Sequence, residues 1–243
     1  MPTVLQGLEE RMNSTTAILL FSRTASAEAV AKPLAASNGT ARTVAKLLVT
    51  HAKQLAKSTQ LPFFLFSEKQ QIGHTFGERF ANAFEAIYQL GFQRVIAIGN
   101  DCLTLSKSDI LAAATELQST PLVIGAATDG GAYLVGLDRI AFQKVSFENI
   151  LWQSEFTCQS IVQFVEKQGL QVKIGVAKSD VDSVADWQKV LRSITSFLRY
   201  QLIRLLHTVV NQPALTRNSI INVQYLTSTI AFRAPPHPIQ FGH

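Results

Sequence analysis

Arg94-Val95-Ile96-Ala97-Ile98-Gly99-Asn100-Asp101-Cys102 is the stretch whose reading decides the fold. An uncharged apolar run, Val95 to Ile98, stops at a glycine and delivers a carboxylate, Asp101. A strand that is apolar on successive residues is covered on both faces, the pattern of a parallel sheet in an α/β fold. Ligands in such folds bind beyond the carboxyl ends of the strands. An Asp at that place, with no basic residue in the next four, suits a divalent cation and the phosphates that accompany it. It equally suits a turn or a helix cap.

Outward from this strand the chain alternates. Thr16 to Phe21 reads as a first buried strand with Arg23 just past its end, after a loose leader over residues 1–14. Asn38 opens a helix to about Lys57, and Leu61 to Phe66 reads as the next strand. Thr75 opens a helix through Leu90, with Phe76, Phe80, Ala83, Phe84 and Ile87 on one stripe and Gly91 as its C-terminal stop. Beyond Asp101, Ser106 and Asp109 have capping-box spacing for a helix over 107–117, and Pro121 to Gly125 is a short strand. Ala127-Thr128-Asp129-Gly130-Gly131 then feeds a second apolar strand. Its paired glycines permit positive φ or a close backbone approach, whether for a ligand or for a plain tight turn. A helix over 154–168, a strand over 171–176 and an Asp180, Asp182, Asp186 cluster follow, one of these Asp residues serving as a helix cap. The order is that of an α/β fold.

Composition bounds the function classes. With 243 residues, 47% of them hydrophobic and 16% charged, one large domain with a sizeable core is expected. The longest early apolar run, Ala17 to Phe21, is too short for a membrane span or a signal-peptide core, so a cytoplasmic, soluble protein without a membrane span is expected. Cys102 and Cys158 form neither a disulfide framework nor a CxxC pair, and the five histidines lack metal-ligand spacing. A nucleophilic role for Cys102 lacks a nearby His. All seventeen acidic residues lie between Glu9 and Asp186, so the net charge of +5 is a property of the C-terminal tail. Six Lys and Arg spread over residues 187–243 are thin for nucleic-acid binding, and a solvated or subunit-interface tail is expected. No GxGxxG follows the first strand, which disfavours a dinucleotide dehydrogenase.

Phe21-Ser-Arg23, Phe76-Gly-Glu-Arg79, Gly99-Asn-Asp-Cys102, Thr128-Asp-Gly-Gly-Ala-Tyr133, Trp152 and Asp180-Val-Asp-Ser183, in this order, resemble the bacterial proteins labelled rSAM/selenodomain-associated transferase 1. That group is glycosyltransferase-A-like, similar to nucleotide-diphospho-sugar transferases and, more distantly, to the molybdenum cofactor guanylyltransferase. The resemblance covers residues 15–193 and implies a mostly parallel, Rossmann-like central sheet with flanking helices. It implies Asp101 and Asp182 as ligands of Mg²⁺ or Mn²⁺ on a diphosphate, and Asp129 as the catalytic base or orienting group for an unidentified acceptor. Arg23, Lys32, Glu78, Arg79 and Asn100 fall to the nucleotide donor. Glu78 also suits ordinary dipole complementation in a first turn, and Tyr133 and Trp152 suit either an acceptor pocket or the core.

Two departures shape the expected function. Where relatives carry a basic triphosphate-gripping loop, Thr24 to Leu34 keeps only Lys32, and Leu103 stands where a DxD motif would place its second Asp. The resemblance therefore implies a metal-dependent transferase using a nucleotide-diphosphate sugar, with nucleotidyl transfer as the alternative and a non-catalytic nucleotide-binding scaffold as the third reading. Residues 194–243 lie outside the resemblance. An amphipathic helix over 194–210, strand-like runs at 220–226 and 229–232, and a Pro-rich end are expected there, docked on the domain or forming a homodimer contact.

Overall fold

The computed structural model describes residues 15–32 and 38–180. The sheet strands are β1 (Thr16–Phe21), β2 (Phe63–Phe66), β3 (Arg94–Ile98), β4 (Leu122–Ala126), β5 (Ala132–Asp138) and β6 (Val172–Ile174). The helices are α1 (Ala25–Ala31), α2 (Asn38–Ser58), α3 (Phe76–Gln89), α4 (Lys107–Glu116), α5 (Arg139–Lys144) and α6 (Thr157–Lys167), with a 3-10 turn at Phe147–Asn149. Residues 1–14, the Asp182 and Asp186 positions, the boundary near residue 193 and the expected 194–243 extension lie outside the described residues.

The six strands form one sheet in the order β2-β1-β3-β5-β4-β6. β1 pairs in parallel with β2 and β3, and β4 with β6, while β5 runs antiparallel between β3 and β4. The mostly parallel sheet is thus as expected, with one reversed strand. The Asp129 loop is the reason for the reversal: Ala127 N–H donates to Gly131 O at 2.9 Å, closing a short hairpin. So few residues cannot carry a parallel crossover.

Side-chain alternation explains the layers. Ala17 and Leu19 of β1 and Val95 and Ala97 of β3 face Phe80, Phe84 and Ile87 of α3 and Ile161 and Val165 of α6. Ile18, Leu20, Ile96 and Ile98 face the opposite way, onto Ala52 and Ala56 of α2 and Ile110 and Ala113 of α4. Each fully buried Leu, Ile or Phe contributes about 1.5–3 kcal/mol, so two such layers sandwich the sheet firmly. Because β2 and β3 flank β1 on opposite sides, the helical connections diverge there, and the carboxyl ends of β1 and β3 form the switch point at which open α/β sheets have their crevice.

Local signals behave as their chemistry dictates. Thr75 with Glu78, and Ser106 with Asp109, form complete capping boxes. Gly91 follows α3 with φ +98°, the left-handed stop that glycine allows. The helix expected from Ser154 begins at Thr157, since Ser154 N–H and the Thr157 hydroxyl are occupied in a preceding turn. The sequence reading left α1 and α5 out. Both are short and begin at side-chain caps, Thr24 accepting from Ala27 N–H and Asp138 from Ala141 N–H.

Candidate functional site at the carboxyl ends of β1 and β3

The chain leaves β1 through Ser22 and Arg23 and turns into α1 at Thr24. Glu68, in the loop after β2, accepts hydrogen bonds from both Thr24 N–H and Thr24 Oγ1 at 2.6 Å, tying the two loops together. Burial acts to raise the Glu68 carboxyl, but these bonds outweigh it and hold it below the ordinary value.

α1 carries the central feature. Glu28, with only 3% of its side chain exposed, lies 3.5 Å from Arg23 Nη1 and 3.5 Å from Lys32 Nζ. Lys32 is one helical turn further on, so the two side chains share a face. Lys32 Nζ in turn donates to Asp101 Oδ2 at 2.7 Å. Two cations and two anions thus alternate, Arg23, Glu28, Lys32, Asp101, across the crevice between β1 and β3.

Asp101 is where the opening strand places it, three residues past the end of β3. Its neighbour Asn100 is 6% exposed, and Asn100 Nδ2 finds no hydrogen-bond acceptor among the described residues. A buried amide donor without a partner is costly, and a ligand oxygen is one way to satisfy it. Cys102 is different in kind. Burial, with the Asp180 charge adding to it, pushes its thiol up to about 12, so at neutral pH it is a protonated, inert side chain.

The Asp129 hairpin sits at the same end of the sheet, joining β4 to β5. Asp129 is exposed, and one of its oxygens, Oδ1, accepts from Gly131 N–H at 2.9 Å. Gly130, at φ +90°, is pressed against the Glu155 carbonyl, and Gly130 O accepts from Cys158 N–H at the start of α6. The hairpin is therefore braced against the turn before α6. A second ion pair closes this side: Lys178 Nζ is 3.0 Å from Asp109 Oδ2 and donates to Thr104 O at 3.1 Å. Asp180 follows directly, and its charge is felt by Cys102 and Tyr133.

Of the expected site residues, Arg23, Lys32 and Asp101 come together in one ion-paired chain, with Asn100 adjacent to Asp101. Asp182 lies outside the described residues. Glu78 accepts from His74 and Thr75 N–H groups, bonds that lower its carboxyl, and Arg79 donates to His74 O. Both thus make local bonds at the start of α3. Tyr133 is a core residue, buried with its hydroxyl donating to Val176 O, and Trp152 is partly buried and packs against the core among Phe76, Phe80 and Phe147. Sequence reading missed Glu28, Lys178 and Asp109 as charge partners. The Glu28 to Lys32 spacing was a readable signal for the first of these.

The described residues contain no group of three or more side chains that could hold a metal ion. The donor set still fits a hard divalent cation of one kind, an ion held by one or two carboxylates that completes its shell with phosphate and water. Asp101, one-quarter exposed past a strand end beside an unsatisfied amide donor, would be the carboxylate for such an ion, with Lys32 Nζ now on its Oδ2.

Residues 34–154 match the family described as "Uncharacterized protein conserved in bacteria (DUF2064)". No curated protein sequence matches the chain. Among solved structures, a protein of Desulfovibrio desulfuricans G20, provisionally described as a nucleotide-diphospho-sugar transferase, superposes with a TM-score of 0.67 at 21% identity, covering 82% of this chain and 98% of its own. Weaker likenesses include 4-diphosphocytidyl-2C-methyl-D-erythritol synthase of Anaerococcus prevotii DSM 20548, with a TM-score of 0.45 at 10% identity over 80% of this chain and 98% of its own. Rv0371c of Mycobacterium tuberculosis H37Rv has a TM-score of 0.44 at 10% identity over 74% and 98%. Of these likenesses only the first is strong enough to bear on the architecture, and it shows that this chain shares the fold of that Desulfovibrio protein.

Proposed function

We propose that this protein is a transferase that takes a nucleotide-diphosphate sugar as donor, with Mg²⁺ or Mn²⁺ at Asp101 and an acceptor approaching from the Asp129 hairpin. The observation that carries the reading is the alternating chain Arg23, Glu28, Lys32, Asp101 laid across the switch point between β1 and β3. Switch points are where open α/β sheets bind ligands, and the described solved relative, to which the chain is similar in fold, is provisionally a nucleotide-diphospho-sugar transferase.

Each residue has a task in this reading. Arg23, 43% exposed at its side chain, and Lys32 supply the positive charge that receives the diphosphate. Asn100 Nδ2 supplies a neutral donor to a ligand oxygen. Glu28 holds the two cations in place between binding events. Asp129 orients the acceptor hydroxyl and takes its proton, one oxygen being anchored by Gly131 N–H. A divalent ion, when bound by Asp101 with Asp182 as the second carboxylate, would neutralise charge on the leaving diphosphate. A triphosphate is less well served. The segment that would have to cradle it is helical over Ala25–Ala31, leaving Arg23 and Lys32 as its two cations.

A thermal-shift panel of nucleoside di- and triphosphates and sugar nucleotides, with and without Mn²⁺, tests the reading. Stabilisation by a diphosphate donor that needs Mn²⁺ and disappears in Asp101→Ala is the expected result. Silence toward every nucleotide overturns it, and a response confined to triphosphates, with pyrophosphate released, replaces it with nucleotidyl transfer.

A further inference from the structure

Lys32 holds the oxygen that a divalent ion at Asp101 would need. Lys32 Nζ occupies Asp101 Oδ2 at 2.7 Å, inside the distance of an ordinary charge-assisted hydrogen bond. Both side chains are mostly withdrawn from water, 16% and 25% exposed, so the pair is poorly screened. The described residues offer no cluster of three ligating side chains that could draw a cation in against that ammonium. Lys32 also has a second anion to rest on, Glu28 at 3.5 Å. A lysine on a flexible stem between two carboxylates is a charge that can be moved without being stranded.

We infer that Lys32 is an exchangeable place-holder for the divalent ion. Without donor it neutralises Asp101. When a metal-bound diphosphate arrives, the ammonium leaves Asp101 for the phosphate oxygens, and the ion takes its place on the carboxylate. The exchange replaces one positive charge on Asp101 by two, and the negative charge of the incoming diphosphate offsets the difference. Metal and diphosphate consequently bind together: each is weak alone, because the metal must break the Lys32–Asp101 hydrogen bond without a phosphate to receive the ammonium, and the diphosphate must draw Lys32 away and leave Asp101 bare. This inference rests on the proposed reading twice, on Asp101 as the carboxylate for the ion and on a diphosphate as the donor.

The test is Mn²⁺ binding to the full-length protein, followed by electron paramagnetic resonance of the free ion, with and without UDP, GDP, CDP or ADP. In the wild type, Mn²⁺ alone is expected to bind weakly, and the best diphosphate to tighten it tenfold or more. Lys32→Gln is expected to tighten Mn²⁺ binding in the absence of nucleotide by about tenfold, the size of one charge-assisted hydrogen bond, and to weaken binding of the metal-free diphosphate. Lys32→Arg keeps the charge and is expected to bind Mn²⁺ alone as weakly as the wild type, which separates loss of charge from altered folding. Asp101→Asn is expected to abolish the Mn²⁺ response in every background. Unchanged or weaker Mn²⁺ binding in nucleotide-free Lys32→Gln overturns the place-holder. Failure of every diphosphate to bind the wild type overturns the donor reading instead, whatever Lys32→Gln does with Mn²⁺ alone.

Discussion

Lys32 Nζ donates to Asp101 Oδ2 across 69 residues of chain, joining the end of α1 to the end of β3. The contact spans the crevice at which the sheet's connections diverge, and it makes Asp101 a partnered carboxylate in the protein alone. Glu28 supports the contact from below, because it is buried and reaches both Lys32 and Arg23.

Glu28→Gln removes the anion that holds those two cations. Arg23 keeps 43% of its side chain in water and Lys32 keeps its bond to Asp101, so neither charge is stranded. The expected loss of stability is about 1–2 kcal/mol, below the cost of breaking a fully enclosed pair. Urea unfolding checks it, and calorimetry with the best diphosphate is expected to show weaker binding by several-fold.

Asp109 gives a pH dependence with a definite sign. Burial acts to raise its carboxyl, but the Ser106 hydrogen bonds and then Lys178 outweigh burial, so it sits below its ordinary value in the folded protein. The unfolded chain therefore binds the proton more tightly, and the stabilisation is complete above the ordinary carboxylate range and is lost as pH falls below that range through the lowered folded-state value. Asp109→Asn, which also weakens the capping box of α4, is expected to cost about 1–2 kcal/mol at pH 7. The difference from wild type should shrink on acidification below about pH 4 in urea melts.

Gly130 is the residue least able to accept a side chain. Its φ is +90° and a Cβ would collide with the Glu155 carbonyl. Gly130→Ala is expected to destabilise by about 2–4 kcal/mol through strain and overpacking. At Gly131 an added Cβ would lie 3.1 Å from Asp129 Oδ1. Gly131→Ala is therefore expected to cost less stability than Gly130→Ala while disturbing the Asp129 turn, a contrast visible in paired thermal melts.

Cys102 is expected to resist iodoacetamide at pH 8 in the folded protein and to react on unfolding in urea. Its thiol is pushed up to about 12, chiefly by burial, so almost none is thiolate at that pH. Mass spectrometry of the alkylated peptide reads the result. Cys102→Ala should leave diphosphate binding intact, which separates it from its neighbour Asp101.

Much of the fold was legible because its signals are local. The uncharged run Val95 to Ile98, the Ser106 and Asp109 spacing and the Gly91 stop each depend on a few adjacent residues, and each appears where expected. α1 was hidden because its sequence, ASAEAVA, is short and has no apolar stripe to read, while the resemblance drew attention to a missing loop instead. Arg23, Lys32 and Asp101 could be singled out as charged residues near strand ends. That Lys32 rests on Asp101, and that a buried Glu28 joins it to Arg23, depended on which strands are neighbours.

By itself the sequence determined the alternation of strands and helices, their caps, the double coverage of the central strand and the position of Asp101 at its end, since propensity, capping and side-chain period act over a few residues. The tertiary structure alone decided that β5 runs backwards between β3 and β4, that β1 lies between β2 and β3, and that Lys32 meets Asp101 while Lys178 meets Asp109. The physical reason is that a strand's pattern states which faces are buried, whereas strand order and cross-sheet ion pairs come from contacts between residues distant in sequence, selected by packing two helical layers on one sheet.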